Sequence, residues 1–321
     1  MSIRRLIGTT LAGCLLLCSS VHAQYPDRPL RIIVPFEAGG AVDSIARVVA
    51  DSISGPLGQS VIVENRAGGG SIVGTAAAAR AVPDGYTLLM GSASGFMITP
   101  LLRELPYDPM KAFVPVALIG RVPFLVVSSA ALPPRNLQEF VSYAKASPEQ
   151  LAYASAGPGT PHHIAGERFA QLTGTNLMHV PYKGTQPGLF EVISGRVALI
   201  NSEILAALPH VRAGKLVALG IATESRSPIA PDIPTLEEAG LPNFHVTTWY
   251  GLMAPTGVAP EIVEKLATTV SKALTDVGTR KRLDDIGVLP GGLSGAEFAE
   301  FMRVENVKWT KAVRDANVRL E

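Results

Sequence analysis

An α/β protein of two similar units, each a mostly parallel sheet flanked by helices, is what this sequence predicts, on three observations. Short apolar runs alternate with helical stretches at the spacing that parallel sheets require. The alternation starts near Leu30, pauses, and restarts near Leu151. Both starts follow one pattern: apolar strand, glycine-rich turn, helix, glycine stop, strand. The first runs Arg31 to Phe36, Glu37 to Asp43, Ser44 to Gly58 and Val61 to Val63. The second runs Leu151 to Ser155, Ala156 to Thr160, His162 to Gly174 and Leu177 to Tyr182. At 321 residues the chain exceeds one typical core and suits two domains. With 47% hydrophobic and 17% charged residues it reads as a well-buried globular chain, not a disordered one.

Residues 1–23 read as a secretory signal peptide. Arg4 and Arg5 form a basic start, Leu6 to Cys18 is apolar, and Val21-His22-Ala23 gives a cleavage signal, with the cut expected after Ala23. Leu11-Ala-Gly-Cys14 resembles a lipoprotein box, but the apolar run continues past Cys14. Both cysteines, Cys14 and Cys18, lie in this leader, so none is expected in the mature protein. Removing Arg4 and Arg5 from the 28 basic side chains leaves 26 against 27 acidic ones, a balance without the basic footprint of nucleic-acid binding. Export and a monomer are expected.

In chain order, Tyr25 to Pro29 leads into the strand Leu30 to Val34. A helix begins near Val42, with Asp43 in its first turn where a carboxylate suits the dipole, and ends at Pro56-Leu-Gly58. Val61 to Val63 is the second strand. Asn65 to Ser71 is another glycine-rich turn, opening an alanine-rich helix from Val73 to Ala81, which Pro83-Asp-Gly85 breaks. Tyr86 to Met90 is the third strand, followed by a turn at Gly91 to Gly95 and a helix near Met97 to Leu102. Phe113 to Ser129 holds two apolar runs split at Gly120-Arg-Val-Pro123, and a helix spans about Asn136 to Ala146. The second unit then adds helices at Thr185 to Ser194 and Glu203 to Ala213, strands at Val197 to Ile200 and Val217 to Ala222, and a short helix near Leu236 to Ala239. His245 to Met253 returns as a strand, and the tail is helical. The chain is expected to cross near Arg121 to Ser129 and return near Val246 to Met253, a hinge. This gives one lobe from residues 24–123 with 250–321, and a second from 124–249.

Glycine turns let the backbone approach a ligand closely, and the helix that follows offers unpaired N–H groups with partial positive charge. Each start is therefore an anion cradle. The two are expected to face each other and share one small anionic guest. Neither has the residues of a dinucleotide or phosphate loop. Asp43 is read either as a first-turn carboxylate or as a tie for its turn; contact with an anion is disfavoured by like charge. Ser92 and Ser94, at the third strand's end, stand beside the first cradle as hydroxyl donors or simple turn residues. His163 and Glu167 are one helical turn apart, but neither a third ligand nor an H-E-x-x-H pattern supports a metal. His163 is expected to pack or to donate toward the cleft. Ser155 is not in a nucleophile elbow. Tyr182, Asn201 and Ser202 end strands of the second unit and are read as lining the far side, with Lys183 solvated. Trp249 and Tyr250 are read as hinge packing rather than a ligand wall.

Taken together, Val34 to Asp43 with Ala46-Arg47, Val63 to Gly70, Ser155 to His163, Val180 to Gly184, Leu208-Pro-His210 and Gly251 to Gly257 resemble the Bug receptors, the extracytoplasmic binding proteins of tripartite tricarboxylate transporters. The resemblance covers essentially the whole chain after the leader. It implies a two-lobed Venus-flytrap fold of the type II periplasmic-binding-protein class, a periplasmic location, no catalytic residue, no cofactor, a small carboxylate as ligand and a membrane permease as partner. It further implies that Phe36, Ala38, Gly39, Gly40, Ala41 and Asp43 on one side hold a carboxylate, partly through bridging waters. Ser155, Ala156, Gly157, Gly159, Thr160 and His163 are their counterparts on the other. Members that bind amino acids are expected to carry an acidic group where this chain has the neutral Asn201-Ser202, with Glu203 next to it, which favours a plain mono- or dicarboxylate here, including an aromatic one. An exported enzyme using His163 as acid or base, or a sensor for a membrane signalling partner, are the other readings.

Overall fold

The computed structural model describes residues 25–316 and residue 318. The signal-peptide reading, with Cys14 and Cys18, lies outside the described residues. No helix among the described residues is long and apolar enough to cross a membrane.

The apolar run Leu30–Val34 forms β1, paired in parallel with β2 (Val61–Asn65) and β3 (Thr87–Ser92). β3 lies antiparallel to β9 (Thr247–Pro255), and β9 antiparallel to the first part of β4 (Phe113–Ser129). At Phe124 the same strand exchanges β9 for β7 (Leu199–Glu203) and β8 (Leu216–Ile221). Beyond β7 lie β5 (Leu151–Ser155) and β6 (Leu177–Pro181), all parallel. Two mixed sheets thus share one 17-residue strand, giving the two-lobed α/β architecture.

Helices cover both sheets because their apolar stripes need a partner. α1 (Ala41–Leu57) buries Ile45, Val49 and Ile53. α2 (Ile72–Ala79) follows β2; α3 (Thr99–Leu102) and α4 (Pro109–Ala112) precede β4. The second lobe carries α5 (Leu137–Ala146), α6 (Pro161–Thr173), α7 (Thr185–Ile193) and α8 (Ile204–Arg212). After β9 the chain returns to the first lobe, where α9 (Pro260–Thr275) and α10 (Val277–Asp285) pack on α1 and α11 (Gly295–Asp315) covers β4.

Three expectations change. Phe113 to Ser129 is one strand and not two, because Pro123 sits where β4 exchanges partners and its missing N–H leaves the ladder intact. Gly91 is a strand residue, directly opposite Gly251; a Cβ there would press on Met253 and Phe96. The chain then enters a π-helical turn over Ser94–Ile98. Leu236 to Ala239 is a turn, not a helix: Thr235 and Glu238 bond reciprocally, and Gly240 ends it at once.

α6 sits on β5 through Gly166, where a Cβ would collide with the Tyr153 ring. Gly166→Ala is expected to cost about 2–3 kcal/mol by overpacking, read as a fall of several degrees in thermal midpoint.

Candidate functional site

One partly enclosed cavity of about 60 Å³ lies between the lobes. Its wall is built at the carboxyl ends of β1, β3, β5, β6 and β7, where open α/β sheets place their ligands. The first lobe contributes Phe36 to Ala38 and Gly40 to Val42 from the β1–α1 turn, Ser92 and Ser94 after β3, and Thr248 and Tyr250 from β9. The second contributes Ala156, Thr160, Pro161 and His162 from the β5–α6 turn, Gly184 to Pro187 from the β6–α7 turn, and Glu203 ending β7.

Three helix N-termini converge here: α1 behind Gly40, α6 behind Thr160 and α7 behind Gly184. None has a side-chain cap, so first-turn N–H groups and the positive dipole ends face the cavity region unspent. A larger opening of about 600 Å³ adjoins the cavity, sharing Phe36, Glu37, Ala156 and Pro187 with it and lined further by Gly68 to Ser71, Gly157, Pro158, Tyr182 and Lys183. At its rim the lobes touch: Thr99 Oγ1 donates to the Gly159 carbonyl at 3.3 Å, and Gly70 lies against Pro158.

Asp43 is buried and points away from the cavity. Its Oδ2 accepts from the Gly39 N–H at 2.9 Å and from Arg47 Nε at 3.0 Å, and its Oδ1 accepts from Arg47 Nη2 at 3.0 Å. Burial works against its charge, but the Arg47 fork and the Gly39 amide hold its pKa below the ordinary value. Asp43 therefore ties down its turn, Gly39 spends its amide on that tie, and Arg47 cancels the charge.

The second turn is braced differently from the first. Gly157 N–H donates to Ser155 Oγ at 3.1 Å, Gly159 N–H to His163 Nδ1 at 3.4 Å, and Thr160 Oγ1 to the Gly157 carbonyl at 2.7 Å. The amides expected to serve as a cradle are thus engaged within the turn, and Ala156 and Thr160 are its residues on the cavity wall. Ser155 Oγ lies 2.6 Å from His179 Nε2, and His163 stacks on His179 with ring centroids 3.9 Å apart. Glu167 accepts from Tyr153, not from His163. Ser155, Gly159 and His163 thus support the cavity wall from behind instead of lining it, and Gly157 lines the outer opening. Asn201 and Ser202 are fully buried in β7 and do not reach the cavity either; Tyr182 lines the outer opening.

Burial lowers the His163 pKa to about 4, and burial with the neighbouring His163 lowers that of His179 to about 3. In the unfolded chain both take a proton near 6.5. Between these values the unfolded chain binds more protons, so this stabilisation is complete above about pH 6.5 and lost as pH falls. His163 alone is expected to cost roughly 2 kcal/mol at pH 5, seen as a lower thermal midpoint than at pH 7.5.

Sequence reasoning missed the cavity's most polar corner. Glu203 is 2% exposed, and its Oε2 accepts from His162 Nε2 at 2.9 Å and Thr185 Oγ1 at 3.0 Å, while Oε1 accepts from Tyr250 OH at 3.0 Å. Burial would raise its pKa, but His162 and Tyr250 outweigh that and hold it below the ordinary value. The strand end expected to be neutral at Asn201-Ser202 thus presents a carboxylate one residue later. Tyr250 lines the cavity and Trp249 is packing, because neighbours on a strand face opposite sides; Trp249 lies among Phe96, Phe298 and Phe301. The signals available were that alternation and the Gly184-Thr185 helix start, a third copy of the strand–glycine–helix pattern. Among the described residues no three His, Cys, Asp or Glu side chains gather as a metal site.

Residues 45–318 match the model of the tripartite tricarboxylate transporter family receptor. The protein BugT of Bordetella pertussis strain Tohama I is 35% identical over 299 residues, 92% of this chain and 92% of its own length. The solved structure of R. palustris Rpa4515 with adipate superposes with a TM-score of 0.88 at 34% identity, over 92% of this chain and 99% of that one. MatC from Rhodopseudomonas palustris with bound malate gives 0.84 at 35% identity, over 90% and 100%. With its two-lobed fold and whole-chain similarity, this chain belongs to the tripartite tricarboxylate transporter receptor family.

Proposed function

We propose that this protein is a periplasmic receptor that closes two lobes on one small carboxylate and presents it to the membrane permease subunits of a tripartite transporter. The observation that carries this reading is the convergence of three uncapped helix N-termini on one partly enclosed cavity. Fixed N–H donors held between two lobes bind an anion more strongly than they would in open water. Adipate and malate in the two relatives support the ligand class. By the measure in which one water needs about 10–15 Å³, the cavity takes roughly four to six water-sized groups, which suits a short organic acid. The lobes are residues 24–123 with 250–321 and residues 124–249, hinged where β4 exchanges partners and β9 begins.

Binding without chemistry is supported by the placement of the reactive side chains. His163, the acid or base of the enzyme reading, is stacked behind the wall, and Ser155 is bonded to His179. Calorimetry of the mature chain with a panel of mono-, di- and aromatic carboxylates is expected to give one-to-one binding with no product formed. Turnover abolished by His163→Ala would overturn the receptor reading.

A further inference from the structure

A groove of about 690 Å³ lies between α6 of the second lobe and α11 of the first, with Ala165 and Arg168 on one wall and Ala312 and Asp315 on the other. Its floor includes Thr247 of β9 and Arg121 of β4, which pairs opposite Trp249. Side chains alternate along a strand: Thr248 and Tyr250 line the guest cavity, whereas Thr247 lines the groove. The two spaces therefore lie on opposite faces of β9, the strand by which the chain returns from one lobe to the other. A connecting strand that flexes away from one face bends toward the other. Lobes that part over the guest cavity thus close over the groove.

The lobes are shut in this structure, since Tyr250 reaches Glu203 and Thr99 reaches the Gly159 carbonyl across the guest side. The groove is then at its widest. One ion pair crosses it, with Arg168 Nη1 3.9 Å from Asp315 Oδ2, and no other ion pair among the described residues joins α6 to α11. That separation exceeds the roughly 2.7–2.9 Å of a charge-assisted hydrogen bond. Asp315 accepts instead from Lys311, one turn back on its own helix. Narrowing the groove brings Arg168 onto Asp315 and completes the pair.

We propose that this groove is the release side of the hinge: opening the lobes narrows it, and the Arg168–Asp315 pair, completed only then, favours the open form. The proposal rests on the reading of the protein as a two-lobed receptor and adds a control of affinity that lies outside the guest cavity. Bulk that fills the groove holds the lobes shut, and loss of the pair removes a pull toward opening. Apparent affinity scales with the population of the binding-competent form, so both changes tighten binding without altering a residue of the guest cavity. A pair that merely held the closed structure together would give the opposite sign on its removal.

The test is calorimetry of the full mature chain and two variants with malate and with adipate, beside small-angle scattering of each chain without a guest. Ala312→Trp, which fills the groove from α11, is expected to tighten binding about fivefold or more, and to shrink the unliganded chain toward the radius of gyration of the guest-bound wild type. Asp315→Asn is expected to tighten binding about two- to fivefold, the range of a partly exposed ion pair. Weaker or unchanged binding in either variant, with wild-type circular dichroism, overturns the proposal. If neither acid binds the wild-type chain, the carboxylate reading fails by itself and scattering decides the groove: an unliganded Ala312→Trp as extended as wild type overturns it. If Ala312→Trp does not fold, Asp315→Asn decides alone.

Discussion

Replacing Gly70 with alanine is expected to weaken guest binding by about ten- to a hundredfold, the equivalent of the 1–3 kcal/mol that overpacking typically costs. Gly70 adopts φ +67°, and a Cβ there would press into the carbonyl oxygen of Pro158 on the opposite lobe. Two effects separate. The left-handed backbone is strained by a side chain whether the lobes are open or closed, which lowers stability by roughly 1–2 kcal/mol. The collision exists only when the lobes meet, so it acts on closure and therefore on affinity. Gly214→Ala isolates the first effect: its φ is +68°, and an added Cβ has nothing within 4 Å. The expected pattern is a similar loss of thermal midpoint in both variants, with the affinity loss confined to Gly70→Ala.

Gly40→Val is the second large effect. Gly40 has φ −82°, an ordinary value, and an added Cβ would meet only the Glu37 carbonyl oxygen at 3.7 Å. The unliganded protein should tolerate the change, at the cost of a poorer cap for α1. The branched side chain would crowd the cavity wall where the α1 amides meet the guest. A loss of at least tenfold in carboxylate affinity, with the fold preserved by circular dichroism, is the expected result. Unchanged affinity would mean that the α1 turn does not hold the guest.

Much of the fold was legible because it is written in local periodicity. The strand-helix alternation, its restart near Leu151 and the return of the chain near Val246 are carried by short apolar runs and glycine stops. The departures have tertiary causes. Pro123 looks like a break in sequence and is tolerated because the strand changes neighbours there. Gly91 looks like a turn and is a strand residue because β9 and Phe96 press close.

The candidate site was legible to a smaller degree. The α1 turn stands out because its glycines, its helix start and the Asp43–Arg47 spacing are contiguous. The second turn matches it in pattern, yet Ser155 and His163 draw its amides inward through contacts that spacing alone does not reveal. His162, Thr185, Glu203 and Tyr250 are spread over some 90 positions of the chain; the first three meet when the second lobe folds, and Tyr250 joins them from β9. Nothing local marks such a group. It has to be assembled before it can be read.

The most direct measurement is the crystal structure of the protein with its tightest-binding carboxylate. The guest's carboxylate is expected in the cavity between the lobes, within hydrogen-bond reach of main-chain N–H groups in the Ala38 to Val42 turn, with its other end on residues of the second lobe. A guest lying outside that cavity, or one touched by a single lobe, would contradict it.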